Sequence, residues 1–435
     1  MDQPALSLEQ TPPLSVPLIF MLSAPFLAAL AGITAFVYPE SFDERWSPAM
    51  LAITHLLTVG FIGMVIVGAL QQLFPVLVGV RLSHPVFFSR LIYGGLVMGV
   101  LSLCGGFLMV QPKVIGFGGA ILGLSFLCLL VRLGSAVFKS KAIANVTKGM
   151  KLALVGMLLT IALGLYLAAA YTSSDIPLHR FMTELHFQWG ILGWAGMLII
   201  TVSYQVVPMF QVTPKYPQKM ITWLGPSIFV SLIMITATRF WFFLSGDVAT
   251  YEISALELVL FCGYSFYAIV TMRLQLQRRR KVPDITLAYW RFGLSCLLAA
   301  ALIWSLVKGT LIDHQQLELA LGVLIIVGFI MSLITGMLYK IIPFLVWLHL
   351  TNSIDMSARW ELKIPNMKEI IPDRHARNQF RLHLLAVSLI LISLLVKWLV
   401  PFAAGVFMAS NLYLAFNLVR GALMYGHTLQ QAQPA

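Results

Sequence analysis

Charge is what this sequence has least of. Only 11% of its 435 residues are Asp, Glu, Lys or Arg, against roughly a quarter in a soluble domain, and that shortage excludes an ordinary water-exposed globule. Cysteine is scarce as well. Cys104, Cys128, Cys262 and Cys296 stand far apart without the paired spacing of a zinc or redox site, and they read as small buried apolar residues. The opening MDQPALSLEQTPP has two acids and no Lys or Arg, unlike the basic leader of a cleaved signal peptide, so the first apolar run is expected to be retained. The sequence has no phosphate-binding glycine loop, nucleophile elbow or metalloprotease motif. It also lacks the line of intramembrane carboxylates that a proton pump needs, and its 20 methionines show no compact cluster suggesting a copper relay.

What the chain has is apolar length. It is 59% hydrophobic, with a mean hydropathy of +0.88. Runs long enough to cross a bilayer, about 20 residues each, recur near 17–37, 48–79, 87–110, 115–137, 149–172, 183–210, 221–245, 250–272, 286–309, 317–347, 380–399 and 401–425. They predict an all-α polytopic membrane protein of about twelve transmembrane helices, forming one membrane domain over 1–435.

A formal net charge of +12 would suggest a nucleic-acid partner in a soluble protein, but here its distribution decides its meaning. With the N-terminus inside, 23 of the 29 Lys and Arg lie at cytoplasmic ends of spans or in cytoplasmic loops. Arg132, Lys139, Lys141, Lys148 and Lys151 cluster in one connection; Arg273, Arg278, Arg279, Arg280 and Lys281 cluster in another. Arg45, Lys113, Arg180, Arg239, Lys308 and Lys397 fall on the outer side. The basic run at 278–281 directly follows a span and reads as a topology anchor. The lipid bilayer is the expected partner, with no nucleic acid, in the bacterial inner membrane and with both termini cytoplasmic.

Three long spans end alike, in LQQLFP at 70–75, SYQVVP at 203–208 and LYKIIP at 338–343. Their prolines, Pro75, Pro208 and Pro343, are 133 and 135 residues apart, and each interval holds four spans. A Gly-aromatic pair precedes each proline at the same distance: Gly60-Phe61, Gly193-Trp194 and Gly328-Phe329. One such pair is ordinary helix packing. Three in register predict a pseudo-threefold arrangement of three four-helix units, about 17–137, 149–272 and 286–425, with the second, sixth and tenth spans around the centre.

Of nine histidines, His84, His349, His375 and His383 fall in or beside predicted cytoplasmic loops, His427 in the C-terminal tail, and His179 and His314 in outer connections. His55 and His186 remain, inside apolar runs of repeat-equivalent spans. An ionisable side chain at that depth is costly without a partner and is a site candidate. His55 lies 20 residues before its proline and His186 lies 22 before its own, and two residues correspond to about 200° of rotation on a helix. The two side chains leave opposite faces of equivalent helices and can meet in the gap between them. A flat ligand with two axial positions suits such a gap, while hydrogen bonds to Ser, Thr or backbone carbonyls are the purely structural alternative.

Twelve spans in three groups, with a histidine near the outer end of the second, resemble subunit I of the haem-copper oxidase superfamily, especially its nitric oxide reductase branch. His186-Phe187-Gln188-Trp189-Gly190, Gly193-Trp194 and Tyr204-Gln205-Val206-Val207-Pro208 are similar to the haem-ligating helix of that family, here on the sixth span with Gln188 in place of a second histidine. His55-Leu56-Leu57, Leu70 to Pro75 and Val76-Leu77-Val78-Gly79 resemble its second helix, whose histidine binds the low-spin haem. Leu321 and Val323 stand where ligands are expected on the tenth span, the seventh has no histidine pair, and the sixth has no copper motif. These departures are nearest to the divergent, non-oxidase NnrS-type members.

The resemblance implies haem b held by His55, His186 or both, with copper left open and no oxygen or nitric oxide reductase activity expected. It implies a role in electron transfer or in nitric oxide, haem or metal response, with a respiratory or redox partner protein. Gln188 is a second candidate for the cofactor environment, against ordinary interhelical hydrogen bonding. Arg239, Arg180 and Lys308 are candidates for the haem carboxylates, and Arg239 is equally placed to pair with Glu257. A cofactor-free transporter or permease on the same scaffold, and an assembly or interaction subunit of a respiratory complex, are the alternatives.

Overall fold

The computed structural model describes residues 11–78, 82–139, 144–246, 251–280, 282, 284–309, 315–354 and 364–432. Of the positions singled out above, Lys141, Lys281, His314, Gly79 and the side chains of Lys139, Lys308 and Val76 to Val78 lie outside that set. The described residues form helices and connections only. Eleven helices among them are long and apolar enough to cross a membrane, which makes the chain a polytopic membrane protein whose surroundings are lipid.

These eleven are α1 (Ser15–Val37), α2 (Pro48–Pro75), α3 (Pro85–Leu108), α4 (Pro112–Val137), α5 (Thr147–Thr172), α6 (Arg180–Gln211), α7 (Gln218–Ser245), α8 (Ala255–Leu276), α9 (Ile285–Leu306), α10 (Gln316–Ser353) and, after one further helix, α12 (Lys397–Gln431). The further helix is α11 (Asp373–Ser393). At 21 residues it is about 31 Å long, enough for a hydrocarbon core of about 30 Å, but its N-terminal half reads DRHARNQFRLH and is too polar to count by composition. That is why twelve expected spans become eleven. The polar residues are accommodated inside the bundle: Gln379 and His383 are buried, His383 Nε2 lies 2.7 Å from Ser332 Oγ, and Gln379 accepts from Tyr289 and donates to Ser410 Oγ at 3.2 Å. The sequence reading placed His383 beside a loop, because the charged neighbours on the other face of α11 masked its burial.

Local signals account for several helix ends. Ser47 caps α2, its Oγ accepting from Met50 N at 3.2 Å, with Pro48 in the first turn. Gly246 closes α7 at φ +76°, a conformation that glycine adopts without strain. Successive helices pack on one another around the bundle, and α12 returns to α1 to close the ring. The best-covered spans are α2, 72% buried, and α1, α6 and α10, each 67% buried, against 33% for α4, α5 and α8. The three proline-ended helices therefore belong to the inner layer.

These same helices share a backbone irregularity. Each contains a π-helical stretch: Leu56–Gly63 in α2, Trp189–Gly196 in α6 and Val323–Met331 in α10. Every one ends 12 residues before its proline and contains the Gly-aromatic pair. Long π-helical stretches are rare and occur mainly at functional sites. Small residues permit close approach there: a Cβ on Gly156 of α5 would stand 2.3 Å from the Gly193 carbonyl oxygen.

Two charged layers bound the bundle. At the end where α2, α6 and α10 begin, Lys397 pairs with Asp43 at 2.8 Å, Arg45 with Glu318 at 3.1 Å, and Arg239 with Glu257 at 3.2 Å. At the other end, Lys340 pairs with Asp284 at 3.0 Å and Lys368 with Asp373 at 3.6 Å. Arg45, Arg180, Arg239 and Lys397, four of the six cations separated out by the sequence, thus share one end. Among the cysteines, Cys104 and Cys296 are buried, Cys128 is partly buried and Cys262 is exposed, and all four are free; the expectation of burial holds for only part of the set.

Candidate functional site

A cavity of about 1120 Å³ opens within the bundle toward the end where α2, α6 and α10 begin. Its walls are mainly apolar, including Phe107, Leu122, Leu165, Leu260, Phe261 and Ile325. Such walls make charged and polar groups among them conspicuous.

His55 and His186 both line this cavity. Their ring centroids are 6.4 Å apart, with an angle of 24° between the planes, so the two side chains meet between their helices as expected from opposite faces. His55 is the last residue of the α-helical turn before the π-stretch of α2; His186 lies three residues before that of α6. His55 Nδ1 is 2.8 Å from the Leu51 carbonyl oxygen, one turn back. His186 Nδ1 is 3.1 Å from the Thr160 carbonyl oxygen on α5. A carbonyl can only accept, so each Nδ1 carries the proton and each Nε2 keeps its lone pair. Nε2 has no hydrogen-bond partner among the described residues in either ring. Orientation of one imidazole nitrogen by a carbonyl while the other is left to ligate is the usual support for a metal-binding histidine.

The two rings are stacked nearly parallel, and their spacing can be set beside that of two imidazoles on one ion. Metal–imidazole bonds run about 2.0–2.1 Å and a ring nitrogen lies roughly 1.1–1.2 Å from the ring centre, so two imidazoles axial to one ion have centroids about 6.2–6.6 Å apart. The observed 6.4 Å lies within that interval. The surrounding packing provides lateral room: a Cβ on Gly164 of α5 would come within 2.9 Å of His186 Cε1, so glycine is what lets that ring lie against α5. Phe107 stands 5.6 Å from His55, centre to centre, and Tyr171 meets Phe107 edge-on at 5.5 Å. Among the described residues no three His, Cys, Asp or Glu side chains form a metal-ligand group.

Gln188 stands 20 residues before Pro208, the position that His55 occupies before Pro75. It does not join the two imidazoles. Its Nε2 donates to Glu257 Oε1 at 3.0 Å, the same oxygen that takes Arg239 Nη2 at 3.2 Å. Arg239 also pairs with Glu184. The Arg239 side chain is 13% exposed and that of Glu257 9%, and a buried pair of this kind typically loses about 3–5 kcal/mol when one partner is removed. Arg239 therefore sits in the internal ion pairing anticipated with Glu257, and Gln188 in interhelical hydrogen bonding. Glu184 is the member that sequence reasoning missed, its only signal being a position two residues before His186.

At the mouth of the cavity stand Arg45 and Arg180, both placed on the outer side by the sequence and the second a candidate for the haem carboxylates, together with Trp46, which the sequence did not single out. Arg45 and Arg180 both stack on the Trp46 ring, with Cζ to centroid distances of 4.6 and 4.9 Å, and Arg45 also lies 5.8 Å from the Phe187 ring. Arg45 is neutralised by Glu318. Arg180 has no acidic partner among the described residues.

Comparison with protein-family models and with curated proteins gives no match to this chain. The functional reading therefore stands on the geometry of the cavity.

Proposed function

We propose that the protein binds haem b in this cavity, with His55 and His186 the residues that would hold its iron, as a divergent, non-pumping relative of the haem-copper oxidase subunit I superfamily. The observation that carries the reading is the pair of oriented imidazoles 6.4 Å apart in one apolar cavity. Two imidazoles alone leave most of a transition metal's coordination unfilled, and a macrocycle supplies the rest.

When bound, haem supplies one-electron chemistry, and ligation on both faces suits electron transfer or sensing. The chain's own residues do the remaining work. Leu51 and Thr160 carbonyls set the imidazole tautomers, Gly164 leaves room for the His186 ring, and the apolar walls exclude water. The three π-helical stretches in register support a pseudo-threefold bundle of three four-helix units. In this reading α11 completes twelve crossings, both termini are cytoplasmic, the cavity mouth faces outward, and a redox partner exchanges electrons there.

The deciding measurement is the absorption spectrum, oxidised and dithionite-reduced, of the detergent-purified full chain expressed with adequate haem. Sharp reduced bands at near-stoichiometric content are expected, with separate His55→Ala and His186→Ala variants turning high-spin or losing haem. A colourless protein, or spectra that neither variant changes, overturns the reading and leaves a permease or assembly role on the same scaffold.

A further inference from the structure

Helix α11 divides its residues between two faces. Ala376, Gln379, His383, Val387 and Ile390 are buried in the bundle. About half a turn round, Arg374, Arg377, Arg381, Leu385, Ser388 and Ile392 are exposed, at the spacing of a single helical face. The outward stripe begins with three arginines and continues with apolar residues, Leu385 and Ile392 each 47% exposed. Asp373 is the sole acid of α11, and it takes Lys368 at 3.6 Å and Arg377 at 3.9 Å. Arg374 and Arg381 have no acidic partner among the described residues.

The neighbouring α12 marks the level of these arginines. His375 Nδ1 lies 2.8 Å from the Tyr413 hydroxyl, and Tyr413 stacks on Phe416 with ring centroids 6.4 Å apart; tyrosines of this kind mark the membrane boundary. Arg381 is six residues further along α11 than His375, about 9 Å of rise toward the bilayer centre. An exposed guanidinium at that depth is costly without a counter-charge. The apolar part of α11, Leu382 to Ser393, rises about 18 Å, short of a hydrocarbon core of about 30 Å, so lipid headgroups are drawn down toward the arginines. We propose that this face of α11 is a binding site for an anionic phospholipid. Arg377 and Arg381, one turn apart, hold the phosphate through charge-assisted hydrogen bonds, Arg374 meets the outer part of the headgroup, and the acyl chains lie along Leu385 and Ile392. Three guanidiniums beside one carboxylate select a headgroup of net negative charge over a zwitterionic one, whereas snorkelling of the arginines to water alone selects neither. The inference rests on α11 as a crossing helix and is independent of the haem reading, since the cavity opens at the other end of the bundle.

Native mass spectrometry of the delipidated full chain in detergent, titrated with phosphatidylglycerol and with phosphatidylcholine of the same acyl chains, reads this selectivity. The first phosphatidylglycerol is expected to bind at least about tenfold more tightly than phosphatidylcholine, through two charge-assisted contacts. Arg377→Gln combined with Arg381→Gln is expected to bring the two lipids to about equal affinity. Arg273→Gln combined with Arg279→Gln, which removes two exposed cations at the end of α8 and in the connection after it, is expected to keep the preference. Arg381→Gln alone is the second variant should the double substitution fold poorly, with a loss of preference of at least about threefold expected. Glycerol phosphate in excess is not expected to displace the lipid, because the acyl chains supply part of the affinity; displacement would make a soluble anion the occupant and overturn the assignment. Equal affinities in the wild type, a preference that the substitutions at 377 and 381 leave unchanged, or one that the control pair abolishes equally, overturns it as well. Each of these results leaves the haem reading intact.

Discussion

At the scale of residues, the cavity depends on what is small as much as on its two imidazoles. Gly164 has room for nothing larger because the His186 ring lies where a side chain would begin. Gly164→Val is therefore expected to push His186 off its Thr160 contact and weaken haem binding at least about tenfold, read as Soret titration, with the helical circular dichroism unchanged. Wild-type affinity in that variant would mean that His186 is not held as a ligand. The two imidazoles were legible in the sequence because a histidine inside an apolar run is rare and demands a partner. Glu184, Trp46 and the burial of His383 were not legible, because each stands among ordinary polar or interfacial neighbours and acquires its meaning from a residue on another helix.

At the scale of elements, the π-helical stretches set where the histidines point. In α2 and α6 the stretch lies between the candidate histidine and the proline-ended half of the helix, so the winding there relates the orientation of one half to that of the other. Deleting Val59 to restore α-helical winding in α2 removes the one residue that the wider turns accommodate and leaves the His55 segment in about its present orientation, whereas deleting Ala69 from the regular α-helix beyond the stretch rotates that segment by about 100° and shifts it by about 1.5 Å. Loss of the six-coordinate haem spectrum is expected for the Ala69 deletion and its retention for the Val59 deletion. Deletion of Ile326 from the corresponding stretch of α10, which has Gly322 and Val323 beside its start instead of a histidine, is expected to leave six-coordinate ligation in place. Equivalent spectra in the Val59 and Ala69 deletions would separate the winding of α2 from ligand placement. The sequence showed the repeat through prolines and Gly-aromatic pairs, but not the π-winding, since backbone winding follows from how neighbouring helices pack.

At the scale of the whole molecule, α11 decides the crossing number. Its length suffices for a span and its polar residues are satisfied by Ser332, Tyr289 and Ser410 inside the bundle, which lowers the cost of carrying them through lipid. Reporter fusions are expected to place a tag after Ser353 and a tag at the C-terminus on the same side of the membrane, and a tag near Val396 on the other. A tag near Val396 on the same side as the tag after Ser353, with the C-terminal tag on the other side, would mean that α11 lies along the surface and that the chain crosses eleven times.

The sequence by itself determined the class of solvent, the helical class, the period of the repeat and the two histidines worth pairing. These follow from local composition and from rotation along a helix, which are properties of short stretches of chain. Only the tertiary structure decided that the imidazoles stand 6.4 Å apart, that Arg239 is internally neutralised while Arg180 is not, and that α11 hides its polar face. Each of these is a distance between residues far apart in sequence, and such distances are set by packing across helices, which no local pattern encodes.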